Sequence, residues 1–501
     1  MKENISRNII FTLFVTVVTT FLSFLINRYL LFNIGDSELG LFRLLSQLVF
    51  YLSLLDLGIS TSATVAYYKP LIKRDYNEIS KIYHTIDMFY RNVSIITLVL
   101  GVLAIPFLFY LVEFKSYLLL SIYWMIFVSN AVITFLLNKY IILYLADQKV
   151  FFVKSVTGIA LIIEKAVQII LIIKFQSFLF FLCASFISNI IKFAFFKRRI
   201  DKHYEITENS NDYDGKIKAD ASQMFFHKLS HIIQYNTDNI LIAKYISLTA
   251  VASYSSYMML SSLVITVVSI FHSVVDPIVG QLVIIQNNKK NYELWIVFAK
   301  FSFWVAGVVS LGFYYFATPF IINWLNDKMV LGKVIVILIL VNLFFDVIKW
   351  PTELIKYKYA YYKDIYNPII EVFINLVVSI ALVGHYGIAG VVVGTVIVNV
   401  IFNMVIKPVI IFKYCLKIPI IKYVEKVSFM LFEMFIIIGI SHFVMSFIFD
   451  NDKASDSWGE IITSVLAFFV IYIGVFLSVV SLTNSKFYVL KLRDFIVERK
   501  I

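Results

Sequence analysis

The residues that could do chemistry in this chain are the few charges set inside long apolar runs. Asp56, Glu164, Lys165, Lys228 and Asp238 fall well within such runs, and Arg28 and Arg43 lie about a turn from their ends. A charge at mid-depth in hydrocarbon costs about 3 kcal/mol or more, so each of these positions requires a function or a partner. They sort into two chemistries. Arg43, Lys165, Lys228 and Arg28 are cations suited to an anionic group, with His231 and Gln234 as a polar wall beside them. Asp238, Glu164 and Asp56 are carboxylates suited to taking up a proton or a sodium ion. His227, His231, Gln234 and Asp238 are spaced four, three and four apart, which puts them on one face of a helix. Glu164 and Lys165 are neighbours and point about 100° apart on a helix, so they need not pair with each other. The bland alternative is that this deep set neutralises itself across helices. Lys139, Lys192, Asp276 and Asp346 lie nearer the inner ends of their runs, where snorkelling or helix termination accounts for them.

The elements that must hold these residues follow from composition. Of 501 residues, 60% are hydrophobic and only 15% are charged, against about 25% in an average soluble protein. Mean hydropathy is +0.85. A water-soluble enzyme or a disordered chain is excluded, and the reading is an all-α, polytopic membrane protein. A bilayer core takes about 20 apolar residues of helix. That length predicts fourteen transmembrane helices, at about 9–32, 40–66, 92–113, 117–143, 154–173, 176–196, 223–245, 250–275, 296–318, 333–349, 365–383, 387–406, 427–449 and 459–482. The uncharged run 372–406 is too long for one span, and Gly384-His385-Tyr386-Gly387 marks a tight turn within it.

Alternate connections, counted from the N-terminus, carry thirty-two Lys and Arg, and the other set carries seven. The positive-inside rule then places both termini in the cytoplasm. It also accounts for most of the +12 net charge without nucleic acid. The first ten residues, MKENISRNII, lead straight into a full span with no small-residue cleavage site, which is not the pattern of a cleaved signal peptide. Outer connections are all short, too short for an extracytoplasmic catalytic domain. No GxxxxGK[ST] loop, Ser/His/Asp elbow or metal-ligand cluster appears, and Cys183 and Cys415 form no framework. The expectation is a non-enzyme without a cofactor, driven by an H+ or Na+ gradient.

Three weak internal matches share an offset of about 212 to 215 positions. Leu39-Gly40-Leu41-Phe42-Arg43 echoes Val251-Ala252-Ser253-Tyr254-Ser255, Asp75-Tyr76-Asn77-Glu78 echoes Asn291-Tyr292-Glu293, and Lys149 falls opposite Lys363. Together they predict two parallel six-helix repeats, an arrangement with a path between halves. The expected lobes are 1–196 and 223–406, joined by a polar cytoplasmic linker at 197–222, with 407–501 adding two helices and a tail. Polar stripes run along span 1 (Asn8, Thr12, Thr16, Thr19, Ser23, Asn27) and span 8 (Ser255, Ser262, Thr266, Ser269, Ser273). Such stripes either pack helices closely or line a polar path. The 31 tyrosines and 6 tryptophans suit interfacial belts or sugar stacking.

Several segments resemble a known family. They are Leu39–Thr61 with Lys69-Pro70-Leu71, the turn ADQKVFF at 146–152, and above all HKLSHIIQYNTDNILIAKY at 227–245 followed by Val251–Met259. The sequence resembles bacterial Wzx-type oligosaccharide-lipid flippases of the multidrug/oligosaccharidyl-lipid/polysaccharide exporter superfamily. The resemblance implies a V-shaped pair of bundles around a cationic cavity, in the bacterial inner membrane. It implies translocation, by alternating access, of an undecaprenyl-diphosphate-linked O-antigen or other surface polysaccharide unit from the cytoplasmic to the periplasmic face. Membrane lipids, a polysaccharide polymerase and a chain-length regulator are the further partners it implies, in lipopolysaccharide biosynthesis. Asp56 departs from the pattern, which leaves its role open. Fourteen spans also bring in the related lipid II flippase, whose extra pair is thought to form a lipid-tail groove. A cation-coupled multidrug exporter of the same superfamily is the second reading, with the acidic residues as its drug site. A membrane polysaccharide polymerase is the third.

Overall fold

The computed structural model describes residues 2–53, 59–114, 116–204, 206, 237–285, 287–359, 361, 364, 366–447, 457–483 and 485–491. Its long elements are helices: α1 (Lys2–Asn33), α2 (Asp36–Ser53), α3 (Ile59–Lys73), α4 (Tyr76–Leu103), α5 (Ile105–Leu111), α6 (Tyr117–Ala146), α7 (Val150–Phe175), α8 (Phe178–His203) and α9 (Asp238–Tyr245). There follow α10 (Leu248–Ile285), α11 (Asn288–Trp324), α12 (Lys333–Ile348), α13 (Trp350–Lys358), α14 (Tyr366–Tyr386), α15 (Ile388–Val398), α16 (Lys407–Ile410), α17 (Ile421–Ser446) and α18 (Trp458–Leu482). Wider π-helical turns, Asn399–Ile406 and Ile411–Leu416, flank α16.

Among the described residues, 12 helices are long and apolar enough to cross a membrane. Each overlaps one of the expected fourteen spans, although the helix at the expected 92–113 is Tyr76–Leu103. The other two, at about 40–66 and 223–245, fall in part outside the described residues. By contact the chain divides into two compact units, Met1–Ala252 and Ser253–Ile501.

Local chemistry sets the helix ends. Asp75, Ser116, Asn287 and Ser457 each accept a backbone N–H from the first turn of the helix they precede (α4, α6, α11, α18), satisfying donors that have no partner inside the helix. Pro106 and Pro351 stand at the starts of α5 and α13, where the missing N–H costs nothing. The expected turn in 372–406 is at Gly387, whose φ of 58° reverses the chain between α14 and α15. That region of backbone space strongly favours glycine.

In the first unit, Tyr67, Ile82, Ile86, Tyr90, Phe135 and Leu143 centre a core made by α3, α4, α6 and α8. In the second, α11 is the hub: most of its apolar length is buried, against half or less in the other candidate spans. The added helices α17 and α18 pack on it, with Tyr472 donating to the Trp304 carbonyl at 3.2 Å.

The charge that fixes this packing is Lys300. It belongs to the basic connections by sequence, yet the structure buries it within α11 at 2% exposure. Its Nζ lies 3.2 Å from Oε2 of Glu433, on α17, itself 1% exposed. Ser485, just past α18, joins them, accepting from Lys300 at 2.5 Å and donating to Glu433 at 2.5 Å. The Tyr488 and Phe429 rings lie 4.6 and 4.9 Å from the ammonium. Removing one member of such a pair strands the other and costs about 3–5 kcal/mol, whereas replacing both by apolar groups is far less harmful. Lys300→Met and Glu433→Met are each expected to lower the thermal midpoint of the purified protein by several degrees. The double variant should recover more than half of the loss, as read by fluorescence-detected melting.

Candidate functional site

Two of the predicted cations come together in the first unit, on oxygens supplied by the stripe on α1. The side chains of Thr19, Ser23 and Asn27 first satisfy their own helix. Thr19 donates to the Val15 carbonyl at 2.7 Å, Ser23 to Thr19 at 2.8 Å, and the Asn27 amide to Ser23 at 2.7 Å. With its proton committed to the backbone, each side chain presents an acceptor oxygen sideways. Asn27 Oδ1 accepts from the Arg43 guanidinium of α2 at 2.8 Å. One turn along, Ser23 Oγ accepts from Lys165 Nζ of α7, also at 2.8 Å. Both bonds are to neutral oxygens, which orient a cation without neutralising it. Arg43 and Lys165 are half-buried and within electrostatic reach of each other.

Glu164 does not join its neighbour Lys165 in an ion pair. It faces Lys192 of α8, 3.7 Å away, both side chains being largely enclosed. Lys192 therefore serves as the partner of a deep carboxylate rather than as a snorkelling residue. Lys139 and Asp346 also have partners, in Asp87 and Lys349.

Asp238 is the first residue of α9 and is half-buried. It lies within electrostatic reach of the Tyr51 phenol on α2, and the next residue, Asn239, donates its amide to Gln47 Oε1 at 2.5 Å. The Arg28 guanidinium sits over the Phe32 ring, 5.3 Å from its centroid. Asp56, Lys228, His231 and Gln234 lie outside the described residues, as does His227. Gln47 and Tyr51 had no signal beyond their place on α2, four and eight residues past Arg43. On α10, Ser262, Thr266 and Ser269 are exposed, each hydroxyl donating to a carbonyl of its own helix.

The second unit holds a polar ladder that charge depth alone does not single out. Glu371, Asn375 and Ser379 are buried at four-residue spacing on α14. Thr395, Asn399, Asn403 and Lys407 continue the same spacing along α15, its π turn and α16. Asn375 bonds Thr395 at 3.0 Å, Asn403 bonds Asn399 at 2.7 Å, and Lys407 lies 3.2 Å from Glu371 and 3.7 Å from Glu353. The same spacing test that finds the α1 stripe would have found this one. Here the lysine is held by carboxylates, whereas Arg43 and Lys165 are oriented by an amide and a hydroxyl.

Elsewhere in the first unit, the α6–α7 turn holds a residue of the expected linker, Tyr204, just past the end of α8. Tyr204 donates to Asp147 at 2.6 Å and accepts from Lys149 at 3.2 Å. Burial and this bond to a carboxylate push the phenol well above its usual range.

No protein-family model matches the sequence, and no curated protein matches it. Solved structures do match. The lipid II flippase MurJ, in an inward closed conformation, aligns with a TM-score of 0.68 over 98% of this chain and 99% of its own, at 17% identity. An inward-facing multidrug resistance MATE family transporter of the MOP superfamily aligns at 0.60, over 77% of this chain and 92% of its own, at 16% identity. A MOP superfamily transporter from Pyrococcus furiosus aligns at 0.51, over 83% and 97%, at 16% identity. The chain shares the fold of these structures. They are transporters and a flippase, and the 12 apolar helices among the described residues agree with a multi-pass membrane protein.

Asn27 is 3% exposed and carries both an internal bond and the Arg43 contact. Asn27→Leu leaves the guanidinium without this acceptor, a loss of about 1–3 kcal/mol. The expected result is a lower melting midpoint, which a second substitution, Arg43→Leu, partly restores.

Proposed function

We propose that this chain is a flippase for a lipid-linked glycan carrying a diphosphate, of the undecaprenyl-diphosphate type used for O-antigen or other surface polysaccharide. The observation that carries the proposal is the pair Arg43 and Lys165. Two adjacent cations, each bonded to a neutral oxygen of α1, suit a ligand that brings its own negative charge. Lys228, His231, Gln234 and Arg28 extend the polar wall on this reading. The full-length likeness to a lipid II flippase supports it: that comparison takes in nearly all of this chain, whereas the MATE comparison takes in 77%. A sugar diphosphate passes through the polar interior while its polyprenyl tail stays in lipid.

Alternating access driven by H+ or Na+ completes the proposal, with Asp238 as the coupling carboxylate and Glu164 and Asp56 behind it. The protein would lie in the bacterial inner membrane, with both termini cytoplasmic, on the strength of the Lys and Arg asymmetry. A polysaccharide polymerase and a chain-length regulator are its expected functional partners. The multidrug-exporter reading needs an acidic drug site, and Glu164 is already engaged by Lys192.

The decisive experiment deletes the gene and measures surface polysaccharide together with the undecaprenyl-linked pool by mass spectrometry. Loss of surface glycan, with its lipid-linked unit accumulating on the cytoplasmic face, is expected. Unchanged glycan with raised sensitivity to cationic drugs would overturn the proposal in favour of drug export. In the complemented strain, Arg43→Ala, Lys165→Ala and Lys228→Ala should each reduce export at least tenfold at normal membrane levels. Asp238→Asn should do the same through coupling. Full activity in all four would sink the site assignment and leave the fold untouched.

A further inference from the structure

One short helix touches the cation site at one end and a tight backbone contact at the other. At its start, Asp238 lies near Tyr51 and Asn239 bonds Gln47 on α2. Its centre, Leu241, Ile242 and Ala243, is buried. Near its end, Lys244 donates to the Tyr110 carbonyl at 2.6 Å and sits 3.3 Å from the centroid of that ring. Beyond it comes the two-residue turn Ile246-Ser247, and Ser247 Oγ caps α10 by accepting from the Ala250 N–H at 3.0 Å.

The contact that follows is the closest of its kind among the described residues of this unit. A Cβ built on Gly40 would stand 1.8 Å from the carbonyl oxygen of Leu248 and 2.6 Å from its carbonyl carbon. No L side chain fits there, because the obstacle is backbone and has nowhere to turn. Glycine is therefore what lets the start of α10 close on α2. Arg43 is three residues further along α2 and Gln47 seven, so the contact lies within two turns of the cation site.

We infer that α9 is a lever, about 12 Å long, that links the cation site to a seal formed by Gly40, Leu248, Lys244 and Tyr110. An anionic ligand drawn to Arg43 and Lys165 alters what Gln47 and Tyr51 offer to Asn239 and Asp238. Movement of α9 then pulls Lys244 off Tyr110 and Leu248 off Gly40, opening that end of the path. This deepens the alternating-access reading above and rests on it. It assigns Gly40 and Lys244 as positioning residues that never touch cargo.

The test reads access rather than export, so the cargo need not be known. In a Cys183→Ser, Cys415→Ala background, Thr19→Cys, one turn from Ser23 on the α1 stripe, reports access to the site through its reaction with a membrane-impermeant maleimide. The rate is measured in whole cells and in inverted vesicles. Gly40→Val is expected to raise labelling at least fivefold from one face and lower it from the other, since opening one end closes the opposite one. Lys244→Ala should move both rates in the same directions by a smaller factor, and it serves alone if Gly40→Val does not accumulate. Rates that rise from both faces would mark simple loosening, and rates unchanged from both would mean α9 gates nothing; either overturns the lever. If labelling shifts as expected while gene deletion leaves the lipid-linked glycan unchanged, the lever stands and the cargo reading fails.

Discussion

A charge cannot be left to water inside hydrocarbon, and most of this architecture answers to that constraint. Lys300 draws α17 and Ser485, three residues past α18, onto the central helix of the second unit. Lys407 binds α16 to α13 and α14 through Glu353 and Glu371. Lys192 meets Glu164 across α7 and α8. In these three cases a cation meets an anion, and the charge is spent on holding helices together. Arg43 and Lys165 also bond to the neutral oxygens of Asn27 and Ser23, contacts that fix the position of a cation and tie α2 and α7 to α1.

The same constraint explains what the sequence made legible. Hydrophobic length located twelve of the helices, because burying backbone in lipid demands about 20 apolar residues whatever the tertiary fold. The turn at Gly387 was legible because a doubled span must reverse and only a glycine takes its φ readily. The α1 stripe was legible from spacing, and it proved to be the element that aims both cations. Partnership was not legible. Glu433 lies 133 positions from Lys300, and no local pattern ties one to the other. For the same reason Lys300 and Lys407 read as loop charges, although the structure encloses both within helices. Asp56, Lys228, His231 and Gln234 lie outside the described residues, so the sequence alone speaks for them.

Likeness of fold brings the chain near transporters with different cargo: a lipid II flippase, a multidrug transporter, and a protein from Pyrococcus furiosus described by the reverse polarity of its binding pocket. A shared backbone does not choose among these. Pocket charge does, since an anionic headgroup and a cationic drug make opposite demands on the same cavity. That is why the reading here rests on two side chains and the oxygens behind them.

The buried lysine of α11 also bears on how the chain is made. Helices enter the membrane in the order of synthesis, and α17 lies far downstream of α11. At about 5–20 residues per second, the interval between making Lys300 and making Glu433 is on the order of ten seconds. For that time a helix destined for the centre of the second unit holds an ammonium with no carboxylate to meet it. Biogenesis must therefore keep α11 at the translocon, at the interface or against earlier helices until α17 arrives. Late insertion of α17 and α18 thus completes the burial of Lys300, and a chain truncated before them would expose the central helix of the second unit.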